Sequence, residues 1–304
     1  MDINFELYKV FYYAAKGLSF SEAAHQLYIS QSAVSQSIKQ LEEKLNTPLF
    51  ARHGKRIRLT PEGETLFKHI EQAFYCIKSG ERSIQAIQNL QQGEVRIGAS
   101  DTICKYYLLP HLKEFHRRYP HIKIRITNRP SPLCIDLLRK GIIDIGIVNM
   151  LPLDFYSQMS VKPLKKIQDI FVAGEAFSHL KSKEISLKDL TSYPLLLLEK
   201  NSTTRNFFDE LVKKYQIHMI PEIELDSVDL LVELTKIGLG ISYVMSDAVE
   251  EELQNGELFA LSIKEDIPTR DLGLITHSQI PIPVAAQKFM ELLMVWAPAS
   301  SPHL

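Results

Sequence analysis

The chain has 304 residues, of which 45% are hydrophobic and 23% are charged, and its formal net charge at pH 7 is −1. These values describe an ordinary soluble protein with length for two or three domains, so any strongly basic surface must be local. The N-terminus lacks the basic start and apolar core of a signal peptide, and no apolar run reaches membrane-spanning length. Three widely spaced cysteines fit no metal-binding pattern. A cytoplasmic location with no membrane partner is therefore expected.

Three helical patterns occupy residues 4–45. An aromatic-rich helix from Asn4 to Lys16 ends at Gly17, Ser21 is expected to cap the second helix, and Ser30 or Gln31 begins the third. The third helix has one apolar stripe, formed by Ala33, Val34, Ile38, Leu41 and Leu45. Its other side is polar and carries Gln31, Ser32, Ser35, Gln36 and Lys39. Two short helices joined by a tight turn predict a helix-turn-helix, in which the second helix enters the major groove of double-stranded DNA.

A basic hairpin is predicted directly after this helix. Residues 49–60 place short apolar ends on either side of a glycine-containing turn, and no acidic residue lies between Phe50 and Pro61. The positive charges come from Arg52, Lys55, Arg56 and Arg58. A charge run is usually a solvated face, and the alternative for the helices is an ordinary surface pair whose polar side is solvated. Because the two adjoin here, and glutamine and arginine suit base and phosphate contacts, the DNA-binding interpretation is favoured.

These residues carry a specific family resemblance. Ala23-Ala24, Ser30-Gln31-Ser32-Ala33-Val34-Ser35 and Leu59-Thr60-Pro61-Glu62-Gly63 resemble the DNA-binding domain of LysR-type transcriptional regulators. One departure is Asn46, where the family usually has glycine, but asparagine tolerates the left-handed conformation of a helix end. The resemblance implies DNA contacts by Gln31, Ser32, Ser35, Gln36 and Arg52. Helix position and charge add Ser30, Lys39, Lys55 and Arg56.

A long helix is predicted from Pro61 to about Leu90. Its apolar residues alternate at steps of three and four, which is the pattern of a coiled-coil seam. The predicted dimerisation contacts are Leu66, Ile70, Ala73, Ile77 and Ile84. The alternative is a helix that packs on its own domain. The resemblance implies a linker and dimerisation helix here, and a homodimer or homotetramer as the working form.

Strand and helix patterns alternate after Gly93, which predicts an α/β fold with a parallel, doubly wound sheet. The first strands are expected at 95–99, 122–127 and 143–148, with helices at 106–118 and 133–139. A second set follows, with strands near 169–172, 194–198, 222–225 and 240–244, helices near 204–215, 228–236 and 247–253, and a final strand at 272–276 and helix at 284–296.

The resemblance implies two subdomains arranged as in a periplasmic binding protein, with two chain crossings. The expected domains are a winged helix-turn-helix at 1–60, a linker helix at 61–91, and an effector domain at 92–304. Within the last, subdomain I covers about 92–162 and 268–304, and subdomain II covers about 163–267.

Polar residues follow several of the predicted strands, where ligands bind in open α/β sheets. The predicted effector-binding residues are Ser100, Asp101, Thr102, Ser131, Asn149, Ser202, Thr203 and Asp226. Hydroxyl groups at positive helix ends suit an anion, although serine and threonine are also the commonest helix caps. Asp101 argues against a highly charged anion, and Arg129 or Arg205 could balance charge. The effector domain is thus expected to bind a small metabolite with anionic character.

Three function classes compete. The chain is interpreted as a transcriptional regulator that needs no cofactor or metal, with a small-molecule co-inducer, promoter DNA, itself and RNA polymerase as candidate partners. An enzyme is disfavoured because the sequence has no phosphate-binding glycine loop, metal-ligand cluster or Gly-x-Ser-x-Gly motif. A thiol-based redox regulator remains the alternative, since Cys104 lies near the predicted cleft and Cys134 is a second thiol. The effector, the target genes and the choice between activation and repression stay open.

Overall fold

The protein is described by a computed structural model. It describes residues 3–53, 56–88, 93–200 and 202–295, with the backbone alone at 52, 53, 56, 82, 83, 85–88, 153 and 295. Chain contacts divide into two compact units, Met1–Glu81 and Arg82–Leu304. The first contains helices and one hairpin, and the second contains both helices and sheets, so the α/β class is confirmed. Among the described residues, no helix is long and apolar enough to span a membrane.

The first unit is a three-helix core followed by a hairpin and a long helix. Its elements are α1 (Phe5–Gly17), α2 (Phe20–Leu27), α3 (Gln31–Leu45), β1 (Phe50–His53), β2 (Arg56–Leu59) and α4 (Pro61–Gln88). The apolar stripe of α3 packs inward, with Val34, Ile38 and Leu41 fully buried against Phe11 of α1 and Ala23 of α2. The small alanines let the helices approach closely. Because the apolar stripe of α3 faces this core, its polar side faces outward.

Short polar residues set the helix ends in this unit. Ser19, not the predicted Ser21, caps α2, because its Oγ accepts a hydrogen bond from the backbone N–H of Glu22. Ser30 caps α3 by accepting from the N–H of Ala33. Asn46 ends α3 with φ 51°, so the left-handed helix end predicted for it is confirmed. The helix-turn-helix geometry is therefore encoded locally.

The long helix α4 has two different parts. Its 28 residues span about 42 Å. Its first turns belong to the first unit, where Leu66 and Ile70 pack on the core and Phe74 stacks on Tyr12 with ring centroids 4.4 Å apart. Further along, Ile77 and Ile84 are exposed. Leu66 and Ile70, two of the predicted dimerisation residues, therefore pack on the helix's own domain. The residues from Pro61 to Glu81 form one compact unit with the helix-turn-helix, and not a separate linker domain.

The second unit contains two five-stranded sheets. Its strands are β3 (Glu94–Ala99), β4 (Lys123–Asn128), β5 (Ile145–Asn149), β6 (Met159–Ile167), β7 (Asp169–Gly174), β8 (Glu184–Ile185), β9 (Leu195–Leu198), β10 (Ile223–Leu225), β11 (Ile241–Met245), β12 (Leu258–Ala260), β13 (Ser262–Ile263) and β14 (Arg270–His277). Subdomain I has the order β4-β3-β5-β14-β6, and subdomain II has the order β10-β9-β11-β7-β12. A short β13-β8 pair completes the unit.

The sheets, predicted to be parallel and doubly wound, each also contain antiparallel strands. Strands β3, β4 and β5 are parallel, as are β9, β10 and β11, but β14 and β7 join each set antiparallel. Strand β6 was not predicted, because Pro163 and several lysines interrupt its apolar pattern. It lies at the edge of its sheet, where proline and lysine are tolerated and discourage pairing with another chain.

Helices cover the sheets close to their predicted positions. They are α5 (Asp101–Ile103), α6 (Leu109–Arg118), α7 (Ser131–Arg139), α8 (Leu187–Leu190), α9 (Thr203–Lys214), α10 (Val228–Lys236), α11 (Glu250–Gln254) and α12 (Val284–Val295); the predicted last residue of α12, Trp296, lies outside the described part. The helix expected to begin at Tyr106 begins instead at Asp101. A π-helical turn, Cys104–Leu108, joins α5 to α6. Pro110 has no N–H to donate to the carbonyl of Tyr106, which disfavours a regular α-helix there.

The chain crosses between the subdomains twice. Strand β6 pairs with β14 through Ile167, so the first crossing follows residue 167 and not the predicted 162. The second crossing precedes Arg270, the first residue of β14. The two crossings are joined by Asp169 and Arg270, whose side chains are each 2% exposed and whose Oδ2 and Nε lie 2.6 Å apart. A buried, bidentate ion pair therefore fastens the two crossing strands.

Candidate functional site

The outward side of α3 presents the predicted DNA-reading residues. Gln31, Ser32, Gln36 and Lys39 are exposed, and Ser35 is half-buried beside them. The hydroxyl of Ser30 serves the helix cap and lies 2.8 Å from that of Ser32, so its role in the structure is local. These residues lie in the N-terminal part of α3, and this is the part of the second helix that enters the major groove in helix-turn-helix proteins.

The hairpin is held firmly against α3. Glu42 accepts hydrogen bonds from the N–H groups of Leu49 and Phe50, at 2.7 and 3.1 Å. Gly63 allows the first turn of α4 to approach, because a Cβ at this position would lie 2.1 Å from the carbonyl oxygen of Leu49. The hairpin therefore follows α3 as a fixed wing.

The basic residues of the wing are described unequally. Arg52 and Arg56 lie on its paired strands, and Arg58 is exposed. The side chains of Arg52 and Arg56, and the whole of Lys55, lie outside the described residues. On α3, Lys39 Nζ lies 3.7 Å from Glu43 Oε1, and both side chains are largely exposed. Such a surface pair is weak, which leaves Lys39 available to a phosphate.

A cavity of about 510 Å³ opens between the two subdomains. It lies at the carboxyl ends of parallel strands from both sheets, where α/β proteins bind ligands. Its size is within the usual range for small-molecule sites. It is lined by Ser100, Asp101, Thr102, Ile103, Asn128, Arg129, Pro130, Asn149, Leu198, Glu199, Ser202, Thr203, Thr204, Asp226, Ser227, Met245 and Arg270.

The structure brings together most of the predicted effector residues. Those that line the cavity are Ser100, Asp101, Thr102, Asn149, Ser202, Thr203 and Asp226. Ser131 does not line it. Its side chain is buried, and its Oγ accepts a hydrogen bond from the N–H of Asn149 at 3.0 Å. Ser131 therefore holds the end of β5 in place, since a buried hydroxyl is satisfied by the nearest backbone group.

The charge-balancing residues also differ from the prediction. Arg129 lines the cavity, but Arg205 is turned away, with Nη1 donating to Glu224 and to the carbonyl of Leu198. Instead, Arg270 reaches the cavity from the second crossing. No local signal in the sequence marks Arg270, because its partners come from distant parts of the chain.

The floor of the cavity is rich in hydrogen-bond donors. Asn149, Thr203, Thr204 and Arg270 are all at least nine-tenths buried. Arg270 donates to Asp169 through Nε and Nη2, to Thr204 through Nη2 at 3.0 Å, and to Asn149 Oδ1 through Nη1. A guanidinium has five N–H groups, so one on Nη1 has no partner among the residues that the structure describes. Within the described residues, Asn149 Nδ2 and the hydroxyl of Thr203 also have no partner.

The two subdomains are also joined beside the cavity. Asp229, at the start of α10 in subdomain II, accepts hydrogen bonds from Lys105 Nζ and the Tyr106 hydroxyl, each at 2.6 Å. Both donors belong to the π-helical turn of subdomain I. The hydrogen bond from Lys105 lowers the pKa of Asp229 below its usual 3.8, and the hydrogen bond from Tyr106 lowers it further.

Burial disfavours the thiolate form of Cys104 and Cys134. Burial raises the pKa of Cys104 to about 11 and that of Cys134 to about 12. The thiolate is the reactive form, so both groups remain protonated at neutral pH. Within the described part of the chain, no group of three or more histidine, cysteine, aspartate or glutamate side chains could hold a metal ion.

Comparisons with known proteins cover both units. The family description "Bacterial regulatory helix-turn-helix protein, lysR family" matches residues 5–64, and "LysR substrate binding domain" matches residues 88–297. A probable RuBisCO transcriptional regulator of Chlorokybus atmophyticus is 30% identical over 94% of this chain and 92% of its own length.

Two solved structures show the same fold. CbnR bound to its target DNA has a TM-score of 0.62 at 18% identity, covering 96% of this chain and 99% of CbnR. The regulatory domain of CcmR from Synechocystis PCC6803, in complex with 2-PG, has a TM-score of 0.62 at 21% identity, covering 69% of this chain and 99% of that domain. With the family matches over both units, the chain belongs to the LysR family of DNA-binding transcriptional regulators.

Proposed function

We propose that this regulator responds to a small metabolite with an anionic group, which binds in the cavity between the two subdomains. The observation that carries the proposal is the set of open donors on the buried floor, Arg270 Nη1–H, Asn149 Nδ2 and the Thr203 hydroxyl. Buried polar groups normally have partners, so open ones in an accessible cavity indicate a ligand with acceptor atoms. The CcmR domain, which has the same fold, is solved with 2-PG.

The DNA-binding role of particular residues belongs to the same proposal. Gln31, Ser32, Ser35, Gln36 and Lys39 read or contact a dyad-symmetric promoter site, with Ser30 and the wing residues Arg52, Lys55 and Arg56 beside them. A two-fold site needs two copies of the chain, and the exposed Ile77 and Ile84 on α4 supply apolar surface for a homodimer or homotetramer. In this proposal, RNA polymerase responds to how the protomers are arranged on the DNA. The effector changes this arrangement only if it binds one arrangement more tightly.

A paired measurement of ligand binding and DNA binding tests the effector site. Purified full-length protein is screened by thermal shift against small acids, phosphate and sulfate, and hits are titrated into operator DNA monitored by fluorescence anisotropy. A ligand at a hundredfold its Kd should add about 2.7 kcal/mol to the free energy of unfolding. Thr203→Val should abolish the shift by removing an open floor donor, whereas Thr191→Val, an exposed change outside the cavity, should retain it. An equal shift in both variants would refute the proposed site.

The redox alternative is not favoured by the thiols. Because Cys104 and Cys134 are protonated at neutral pH, peroxide should react with them slowly. We expect Cys104→Ser and Cys134→Ser to leave peroxide-dependent promoter activity unchanged. A loss of peroxide response in either variant would restore the alternative.

A further inference from the structure

The chemistry of the cavity changes with depth. Its floor is close to neutral, because the positive charge of Arg270 is matched by the bidentate contact with Asp169. The floor therefore offers hydrogen-bond donors without a surplus of positive charge. One carboxylate or similar group can use these donors, but a second anionic group finds no cation beside them within the described residues.

The mouth of the cavity is acidic. Asp101, Glu199 and Asp226 line it and are exposed, whereas Arg129 is the matching exposed cation among the described lining residues. Arg129 Nη1 donates to the carbonyl of Asn128 at 2.7 Å, and Asn128 Nδ2 donates to Asp101 Oδ1 at 3.4 Å. Within the part of the chain that the structure describes, the carboxylates of Glu199 and Asp226 have no hydrogen-bond or ion-pair partner.

We propose that the effector is a small zwitterion of the amino-acid type, with its carboxylate on the floor and its ammonium group at the mouth. This inference rests on the proposed function and names the ligand class of the same cavity. The carboxylate accepts from Asn149, Thr203 and Arg270. The ammonium donates to Asp226 and Glu199, which are acceptor-only groups when ionised.

The acidic mouth also disfavours the simplest anionic ligands. A dicarboxylate or phosphorylated acid would place its second negative charge near Asp101, Glu199 and Asp226. Like charges at short range raise the free energy of the bound state, and a partly enclosed cavity screens them less than open solvent does. A zwitterion instead adds one favourable contact at each depth.

The test compares ligands that differ by one group. Full-length protein is titrated by calorimetry with three matched triplets: L-alanine, L-lactate and propionate; L-aspartate, L-malate and succinate; L-glutamate, 2-hydroxyglutarate and glutarate. Hits from the full set of standard amino acids, found first by thermal shift, are added with their deaminated analogues. The ammonium form should bind at least about tenfold more tightly than the hydroxyl form, because a charge-assisted hydrogen bond replaces a neutral one.

Two variants locate the preference at the mouth. Asp226→Asn and Glu199→Gln should each reduce the ratio of affinities between the amino acid and its hydroxy analogue. Glu210→Gln, which removes an exposed carboxylate from α9 outside the cavity, should leave the ratio unchanged. Because the readout is a ratio, a general loss of folding or affinity in a variant does not imitate the result.

The outcomes separate this inference from the proposed function. Preference for the plain or hydroxylated acids, or a ratio that Asp226→Asn does not change, would overturn the zwitterion and leave an anion-responsive site. If none of the amino acids or matched acids binds but phosphate, sulfate or another small acid does, only the zwitterion is overturned. If nothing in either set binds, both proposals are overturned. A preference for the amino acids that falls in both mouth variants supports both.

Discussion

Asp169→Asn tests whether the buried ion pair holds the two crossing strands together. The Asp169 and Arg270 side chains are each 2% exposed, and two hydrogen bonds of 2.6 and 2.8 Å join them. Removing one charge leaves the other buried and uncompensated, which typically costs 3–5 kcal/mol, so a loss of about 3 kcal/mol is expected for the isosteric amide. For a unit of roughly two hundred residues this corresponds to a fall in Tm of about 6–12 °C.

Differential scanning calorimetry of the full chain provides the assay, because it can resolve separate transitions for the two units. The matched control is Glu291→Gln, which breaks an exposed pair with Lys288 at 3.0 Å and should change stability by less than about 1 kcal/mol. The double change Asp169→Leu with Arg270→Met should recover much of the loss, since no charge then remains buried. A similar Tm for Asp169→Asn and Glu291→Gln would refute the reasoning.

Three further predictions concern other parts of the chain. Ser35→Ala should weaken operator binding by about fivefold through loss of one hydrogen bond, measured by anisotropy, whereas Ser37→Ala on the same helix should not; equal affinities would move the recognition surface. Asp229→Asn should lower Tm by about 1–2 °C at pH 5–7. Because Lys105 lowers the pKa of Asp229 below 3.8 in the folded state, this difference should shrink as the pH falls through that folded pKa, and a difference that stays constant as the pH falls would contradict the linkage. Tyr28 is 94% exposed at φ 56°, so Tyr28→Asn should raise the free energy of unfolding by about 0.5–1 kcal/mol in chemical denaturation, and a loss of stability would show that its ring is supported.

Much of the DNA-binding unit could be predicted from the sequence because its signals are local. Apolar spacing places the buried stripe of α3, and Ser30 and Asn46 mark its ends within a few residues of the helix they bound. The expected cap of α2 was wrong by two positions, since Ser19 and Ser21 are equally suitable by residue type. Strand ends in the second unit were predicted for the same reason, and most of the polar residues that follow them line one cavity.

Long-range contacts decided the remainder. Periodicity placed Leu66 and Ile70 on the same seam as Ile77 and Ile84, but packing in the first unit determines which of them are covered. Likewise, Ser131 was predicted to line the cavity because it follows a strand, but its hydroxyl accepts a hydrogen bond from the backbone N–H of Asn149 instead.

Arg270 shows most clearly what could not be predicted from the sequence. It is separated by 101 residues from Asp169 and by 121 from Asn149, and nothing near it in the sequence indicates a buried cation. Residue type and spacing report the helix or strand that a segment prefers, because these depend on neighbours along the chain. The partners of a buried charge depend on which distant strands the fold brings together, so only the tertiary structure could place Arg270 on the floor of the cavity.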